Sequence, residues 1–180
     1  MLIEWDKKIF EALFGLTHQN RWLDHLFIFF ADYMAYFLIL ASAVFILMTA
    51  DWRNRWFLFA EMSLAAILSR GIITELIRFF YDRPRPFLAL GLEPLFSNDS
   101  SSFPSGHATF FFALAAVLFL YNKRAGTWFF LAALIMGAAR VVSGVHWPSD
   151  ILGGLAVALI SVCISRSMIR PLIAEQKNRP

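Results

Sequence analysis

The sequence predicts an all-α fold: a polytopic membrane helix bundle with five or six transmembrane helices and an N-terminal amphipathic helix. Of the 180 residues, 59% are hydrophobic and only 16% are charged, whereas soluble domains are about 45–50% apolar. The apolar residues fall into stretches that can cross a bilayer core of about 30 Å as helices. Helices are expected because no water inside a bilayer satisfies backbone groups. We expect one integral membrane domain over residues 1–180, with its catalytic core at residues 56–169.

The N-terminal segment, residues 1–20, mixes charged and large apolar side chains. Charged residues such as Asp6 and Glu11 interrupt the apolar ones, so the segment lacks the continuous apolar core of a signal peptide. The spacing of apolar residues such as Trp5 and Phe10 fits a short amphipathic helix. We therefore predict a helix that lies on the membrane surface.

Five apolar stretches follow this segment. They cover approximately residues 22–49, 56–77, 105–121, 127–142 and 148–169. The first stretch is long enough to form one tilted helix, or to break near Asp32 into two short helices. The number of spans is therefore predicted as five or six.

Basic residues mark one side of the predicted bundle. They occur at residues 51–55, at residues 122–124 and in the C-terminal tail, and the positive-inside rule assigns this side to the cytoplasm. The opposite loops nevertheless contain Arg78, Arg83 and Arg85. Arginines on the disfavoured side indicate a function, and guanidinium groups suit the binding of phosphate. The alternative is a solvated loop with snorkelling arginines.

The first of three polar clusters comprises Arg78 and the Arg-Pro-Arg-Pro run at residues 83–86. Each proline fixes its own φ and moves the preceding residue away from helix, so this run is expected to be extended and stiff. Guanidinium groups on such a frame can bind phosphate oxygens in bidentate fashion. Asp82 is expected to orient one of these arginines, and both Arg83 and Asp82 are candidate supporting residues of the site.

The second cluster is Pro104-Ser105-Gly106-His107, where a polar loop gives way to an apolar stretch. Proline suits the first helical position, so we predict a helix start here. The free backbone N–H groups of Ser105, Gly106 and His107 would then point at an anion. Gly106 lets a ligand approach the backbone. His107 can protonate a leaving oxygen as a general acid, although a lone histidine at a helix start is more often a cap or surface residue.

The third cluster is Arg140, His146 and Asp150. Pro148 is expected to open a helix, which places Asp150 in the first turn, where its carboxylate can turn back to one ring nitrogen of His146. The other nitrogen then remains free to attack phosphorus, and Arg140 would stabilise charge on the phosphate oxygens. The alternative role for Asp150 is that of a plain helix N-terminal carboxylate. Together the clusters hold the groups that phosphoryl transfer through a phospho-histidine requires.

In order, spacing and position, the clusters resemble the signature of the type 2 phosphatidic acid phosphatase superfamily, which reads Lys-x6-Arg-Pro, Pro-Ser-Gly-His and Ser-Arg-x5-His-x3-Asp. The resemblance covers about residues 56–169. It implies that His146 is the nucleophile, Asp150 its orienting partner and His107 the general acid, with no metal or other cofactor. It also implies that phosphate is bound by Arg78, Arg85, Ser105, Gly106 and Arg140.

Two positions depart from that pattern. Arg78 replaces the family lysine, which keeps the charge but changes its reach. Ala139 replaces the serine before Arg140, which removes one hydrogen-bonding group. The proposed nucleophile, acid and orienting carboxylate are untouched, so the resemblance still implies an active enzyme.

The small size of the chain and its residues 14–24 resemble the bacterial undecaprenyl-diphosphate phosphatases of this superfamily. That resemblance implies a multi-pass protein of the bacterial cytoplasmic membrane. Its partner within the bilayer would be undecaprenyl diphosphate, the lipid carrier of cell-wall synthesis, from which it removes the terminal phosphate on the outer face. Phosphatidylglycerophosphate, phosphatidic acid and lipid A are alternative substrates, because relatives with the same core residues act on them.

Other classes of function have less support. The net charge is +3, but the basic residues are scattered and form no stripe for nucleic acid. A non-catalytic membrane transporter or lipid-binding scaffold would not need His107, His146 and Asp150 together. A zinc hydrolase would need a third close histidine or cysteine, and the nearby arginines would repel a cation.

Three ionisable residues, Glu61, Arg70 and Glu75, lie inside the second apolar stretch, where such groups usually face a partner or a cavity. Glu75 lies three residues before Arg78, so it is expected to support that arginine across one turn of helix. Arg70 is expected to pair with Asp32 or Glu61. The alternative is that Arg70 lines the groove for the lipid.

Overall fold

The computed structural model describes residues 4–97 and 100–177, with residues 172–177 described by their backbone alone. Every regular element in this part of the chain is a helix. The helices are α1 (Glu4–Phe14), α2 (Arg21–Met48), α3 (Trp52–Phe80), α4 (Pro86–Leu90), α5 (Gly106–Tyr121), α6 (Lys123–Val142) and α7 (Pro148–Lys177). By length and composition α2, α3, α6 and α7 can span a membrane, and α5 is a shorter apolar helix. The prediction of an all-α membrane bundle is confirmed.

Helix α1 is amphipathic, as predicted, although residues 1–3 of the predicted segment lie outside the described residues, as does the tail after residue 177. Lys7 and Glu11 form an ion pair of 3.7 Å on its exposed side. Asp6 and Phe10 on the other side are fully buried, and α1 packs against α6 and α7. The buried side of α1 thus faces the helix bundle, whereas the sequence predicted only a helix resting on the membrane.

The first apolar stretch forms the continuous helix α2 and not two short helices. Asn20 caps its start, since its side-chain oxygen accepts a hydrogen bond of 2.9 Å from the backbone N–H of Trp22. Near Asp32, where a break was one alternative, the helix widens into a π-helical segment, Phe29–Tyr33. Such segments occur frequently at functional sites, and this one carries the carboxylate of Asp32.

Helix α3 contains a second π-helical segment, Ile67–Ile73, and ends at Phe80. Residues 81–85 are extended, as the two prolines predict. In an extended chain alternate side chains share a face. Arg83 and Arg85 are accordingly buried together, while the residues between and before them are exposed.

Helix α5 lies at the centre of the bundle, packed against α3, α6 and α7. Eleven of its 16 residues are buried, and a helix that is apolar on all sides is expected in such a position. Phe111 and Phe112 are each 3% exposed. These two phenylalanines therefore pack inside the bundle and do not contact lipid.

A buried ion pair joins three helices near the C-terminal end of α5. Glu61 of α3 is fully buried. One of its carboxylate oxygens accepts hydrogen bonds from the hydroxyl of Tyr121, at 2.9 Å, and from the guanidinium of Arg166, at 2.8 Å. Glu61, one of the three ionisable residues inside the second apolar stretch, thus has a partner. A charge without a partner would be costly inside a membrane.

The contact between α5 and α7 generates a test of the packing. A Cβ at Gly154 would lie 2.6 Å from the Cβ of Ala108 and 3.1 Å from the backbone nitrogen of Thr109, and small residues permit such close contacts between membrane helices. We expect Gly154→Ala to push the helices apart and to lower the free energy of unfolding by about 1–3 kcal/mol. Thermal unfolding in detergent measures this as a lower Tm. Gly71→Ala is the control, because no atom lies within 4 Å of its Cβ; equal losses in both variants would contradict the prediction.

Candidate active site

One cavity, with a volume of about 290 Å³, lies at the N-terminal ends of α5 and α7. Its charged and ionisable wall consists of Arg70, Arg78, Arg85, His107, Arg140 and His146. Ala35, Ile39, Phe110 and Phe111 form an apolar wall beside them. The three clusters, which are far apart in the sequence, therefore meet in one site.

His146 and Asp150 form a pair at this site. His146 lies in the loop between α6 and α7, and Asp150 lies in the first turn of α7, which begins at Pro148 as predicted. The two side chains are 1% and 0% exposed. The Nδ1 atom of His146 lies 3.3 Å from Oδ2 of Asp150, and its Nε2 atom lies 3.3 Å from a guanidinium nitrogen of Arg85. One ring nitrogen thus contacts the carboxylate while the other faces the arginines.

Burial sets the charge of His146. It lowers the pKa of the imidazole from 6.5 to about 3, because the charged form loses its hydration. The hydrogen bond to Asp150 opposes this shift, whereas the charges of Arg140 and Arg85 add to it. The ring is therefore neutral at physiological pH, which is the state that a nitrogen nucleophile needs.

Asp150 also caps its own helix. Its Oδ2 atom accepts hydrogen bonds from the backbone N–H of Trp147, at 2.7 Å, and from the hydroxyl of Ser102. Its Oδ1 atom accepts one of 2.7 Å from Arg83. A buried carboxylate needs donors of this kind to offset the loss of water. Both geometries considered for Asp150, contact with His146 and capping of a helix, are thus present together.

Arg83 does not line the cavity but lies behind Asp150. Its guanidinium donates to Oδ1 of Asp150 and to Oδ2 of Asp6, both at 2.7 Å, and to the hydroxyl of Ser149 at 2.6 Å. Ser149 in turn donates to Asp6 through its backbone N–H, at 2.9 Å, and through its hydroxyl, at 2.5 Å. This geometry fits the predicted role of Arg83 as a supporting residue, and it does not place the guanidinium where it would hold phosphate.

Asp82 was expected to orient one of the arginines, and this prediction is wrong. Its side chain is exposed, and within the part of the chain that the structure describes it forms no ion pair. The extended backbone is the reason, because neighbouring residues point to opposite sides. The carboxylates that bind Arg83 come instead from Asp6 and Asp150.

Three arginines with buried or largely buried side chains face the cavity. Their guanidinium groups donate to backbone carbonyls, Arg78 to Pro104 at 3.0 Å, Arg85 to Val145 at 2.7 Å and Arg140 to Ala31 at 2.9 Å. Among the described residues, the Nε atoms of Arg78 and Arg140 have no hydrogen-bond partner. These hydrogen bonds fix the three guanidinium groups at the cavity, where their positive charge suits phosphate.

The second cluster forms a helix start, but not in the predicted register. Ser105 is the N-cap of α5, and the helix begins at Gly106, so Pro104 is not its first residue. The backbone N–H of Ser105 donates to the carbonyl of Asp150 at 3.1 Å and is therefore not available to an anion. This contact is between distant parts of the chain, which local helix rules do not anticipate. His107 and Gly106 line the cavity as expected.

His107 has a neighbour that the sequence did not reveal. Its Nε2 atom lies 3.9 Å from a carboxylate oxygen of Asp32, in the π-helical segment of α2, and its side chain is 33% exposed. The ring therefore lies between the cavity and a carboxylate. A π-helical segment has no sequence signature strong enough to predict this placement.

Glu75 contacts Arg78 across one turn of α3, as expected, at 3.6 Å. The prediction that Arg70 pairs with Asp32 or Glu61 is wrong, because Arg70 pairs with Glu75. Glu61 lies nine residues earlier on the same helix, about 13 Å away along its axis, so a direct contact is out of reach. The alternative that Arg70 lines the groove agrees with its position in the cavity wall.

A family model described as the PAP2 superfamily matches residues 59–173, a range that includes all three clusters. The chain belongs to the PAP2 superfamily.

Similar proteins agree with this membership. Undecaprenyl-diphosphatase BcrC of Bacillus subtilis is 35% identical over 156 residues, which cover 85% of this chain and 78% of that protein. Lipid A 1-phosphatase of Rhizobium johnstonii is 37% identical over 99 residues, 50% of this chain and 39% of that protein. Among solved structures, LpxE of Aquifex aeolicus has a TM-score of 0.74 and 27% identity, covering 93% of this chain and 99% of that chain. The protein is a multi-pass PAP2 membrane lipid phosphatase that resembles undecaprenyl-diphosphatases.

Histidines and arginines dominate the side chains at this PAP2 site. Within residues 4–97 and 100–177, no group of three or more His, Cys, Asp or Glu side chains is arranged to hold a metal ion. The histidine pair is instead surrounded by arginines. Positive side chains in such a cavity favour an anion over a cation.

Several residues of this PAP2 site were not predicted from the sequence. They are Asp6, Asp32, Ser102 and Ser149. Asp6 lies on an amphipathic helix among other charged residues, and no local pattern separates it from them. Ser149 lies between Pro148 and Asp150, so its position beside the third cluster was the one available signal.

The network behind Asp150 generates a prediction for α1. We expect Asp6→Asn to release Arg83, to loosen Asp150 and to lower kcat about tenfold or more, since the variant removes one partner of a buried ion pair. Phosphate release by the purified protein measures the effect, with Tm recorded in parallel. Glu11→Gln on the exposed side of α1 is the matched control, because exposed ion pairs contribute less than about 1 kcal/mol. A loss of Tm without a loss of kcat would assign Asp6 a purely structural role.

The protonation state of the His146 ring can be measured directly. We expect its ring to remain neutral between about pH 5 and pH 8 in the substrate-free protein, because burial disfavours the imidazolium. Nitrogen NMR of histidine-labelled protein measures the protonation, and His146→Gln assigns the signal. A signal that titrates near 6.5 would contradict the buried, neutral ring.

Proposed function

We propose that the protein hydrolyses undecaprenyl diphosphate to undecaprenyl phosphate through a phospho-histidine intermediate and without a metal ion. One observation carries this proposal: His146, in contact with Asp150, shares a cavity with His107 and with arginines anchored by neutral carbonyls. Each group that phosphoryl transfer needs has a candidate in that cavity.

In the first step Nε2 of His146 attacks the terminal phosphorus. The bond from that phosphorus to the bridging oxygen breaks, and the leaving lipid phosphate takes the electron pair. His107 donates a proton to the leaving oxygen as general acid. Arg78, Arg85 and Arg140 stabilise the charge on the equatorial oxygens in the transition state. Asp150 holds Nδ1 of His146 and stabilises the positive charge that develops on its ring.

In the second step water hydrolyses the phospho-histidine. His107, now neutral, accepts a proton from the attacking water as general base. The phosphorus–nitrogen bond breaks, inorganic phosphate is released, and His146 regains its lone pair. The backbone N–H groups of Gly106 and His107 at the start of α5 add donors for the transferred phosphoryl group.

The substrate assignment follows the likeness to the Bacillus undecaprenyl-diphosphatase, which extends over 85% of this chain. The likeness to the lipid A phosphatase covers 50% of the chain, so it supports the shared chemistry more than a shared lipid. Phosphatidylglycerophosphate, phosphatidic acid and lipid A are the competing substrates. The apolar wall of Ala35, Ile39, Phe110 and Phe111 would contact the start of a lipid tail.

We also propose that the cavity opens to the outer side of the bacterial cytoplasmic membrane. Residues 51–55 and 122–124 are rich in basic side chains and lie at the opposite ends of the helices from the cavity. The positive-inside rule places such segments in the cytoplasm. Hydrolysis on the outer face would return the lipid carrier for another round of cell-wall synthesis.

Phosphate release in detergent tests this proposal. We expect undecaprenyl diphosphate to be hydrolysed in preference to phosphatidylglycerophosphate, phosphatidic acid and lipid A, with the same rate in excess EDTA. His146→Ala should lose more than about 1,000-fold in kcat, because the nucleophile is removed. His25→Ala is the matched control, since His25 is exposed in the part of α2 before its π-helical segment.

Each outcome has a distinct meaning. Turnover by His146→Ala would exclude the phospho-histidine, and inhibition by EDTA that metal restores would exclude the metal-free mechanism. Preference for a glycerolipid or for lipid A would leave the mechanism in place and change the substrate. No release from any of the lipids would support a non-catalytic role in lipid binding.

A further inference from the structure

Arg70 is a cavity arginine outside the three clusters. It lies in the π-helical segment Ile67–Ile73 of α3, and its side chain is 42% exposed. The guanidinium lines the same cavity as both histidines. The proposed mechanism assigns Arg78, Arg85 and Arg140 to the transferred phosphate and gives Arg70 no role.

The position of Arg70 depends on Gly106, which has no side chain. A Cβ at Gly106 would lie 2.6 Å from Nε of Arg70 and 3.2 Å from its Cζ. The Arg70 side chain therefore packs directly over Gly106, the first residue of α5. Only glycine permits so close a contact, because any other residue would place a Cβ there. His107 is the next residue along this helix. The Arg70 guanidinium thus lies at the end of the cavity where His107 would protonate the leaving group.

The contacts of Glu75 show that Arg70 and Arg78 can face the same anionic group. Its Oε1 atom is contacted by Arg70 and lies 3.6 Å from a guanidinium nitrogen of Arg78. Two cations that meet on one carboxylate oxygen are close enough to bind adjacent phosphates of one diphosphate. Arginine suits this task because its planar fork can bind two phosphate oxygens at once.

The apolar wall gives the direction of the lipid. Arg70 lines the cavity together with Ala35, Ile39 and Phe110. Ile39 and Phe110 also line an adjacent apolar cavity together with Ile67, which belongs to the same π-helical segment as Arg70. An apolar chain in that cavity would begin beside Arg70, so a phosphate next to Arg70 would lie between this chain and the reacting phosphate. In a diphosphate lipid this is the position of the phosphate that stays on the product.

We propose that Arg70 binds the lipid-proximal phosphate of a diphosphate substrate and so selects diphosphates over monophosphates. The proposal rests on the proposed function and adds a binding subsite to it. The phosphate held by Arg70 is not transferred: it leaves with the lipid after the phosphorus–oxygen bond has broken. Arg70 stabilises the negative charge that this leaving phosphate gains.

The experiment compares farnesyl diphosphate with farnesyl phosphate, which share one chain. We expect Arg70→Gln to lower the ratio of the two kcat/KM values, diphosphate over monophosphate, by about ten- to a hundredfold, as for the loss of a hydrogen bond to a charged group. Arg70→Lys, which keeps the charge without the fork, should give an intermediate ratio. If Arg70→Gln does not fold, Arg70→Lys alone is compared with the wild type.

Arg166→Gln is the matched control. Arg166 is similarly exposed, at 35%, and it pairs with a glutamate, Glu61, as Arg70 pairs with Glu75. It does not line the cavity. We expect its ratio to equal that of the wild type. An unchanged ratio in Arg70→Gln, or the same fall in Arg166→Gln, would overturn the subsite.

A second measurement separates this proposal from the proposed function. With farnesyl phosphate as substrate, methylenediphosphonate should inhibit the wild type more strongly than Arg70→Gln, whereas methylphosphonate should inhibit both to the same degree. A wild type that hydrolyses only monophosphates would refute the diphosphatase function, yet this inhibition pattern would still support the subsite. Equal inhibition of both proteins by the diphosphonate would overturn it.

Discussion

A carboxylate with no exposed surface is stable only where donors replace the water it has lost, and Asp150 is such a carboxylate. Its donors are Arg83, Ser102, the backbone N–H of Trp147 and the ring of His146. They come from the extended run after α3, from the loop before α5 and from the turn before α7. Satisfying this one group therefore fixes three loops around the cavity.

The network continues from Asp150 to the N-terminal helix. Arg83 joins Asp150 to Asp6, and Phe10 packs against the ring of Trp147 with centroids 5.1 Å apart. The same two elements, α1 and the turn before α7, are thus joined by polar and by apolar contacts. Helix α1 is part of the wall that keeps water from the Asp150 carboxylate.

Charges are arranged differently in the cavity: ion pairs lie behind Asp150, whereas several arginines line the cavity. Arg78, Arg85 and Arg140 donate hydrogen bonds to backbone carbonyls and line the cavity beside His146. In a site that is partly removed from water, such fixed charges act strongly on a developing negative charge. The ion pairs behind Asp150 and the arginines beside His146 together suit the site to a phosphate group.

The sequence by itself determined the membrane-helix class and the three clusters, because apolar length and motif spacing are local properties. That the clusters meet in one site was implied only by the family resemblance. It also predicted the turn at Pro148 that brings Asp150 to His146. It could not predict Asp6 behind Arg83, or Arg70 across Gly106, and it was wrong about Asp82. Those contacts join segments that are distant in the chain or depend on π-helical turns. Only tertiary packing decides which of many similar charges is buried beside which partner.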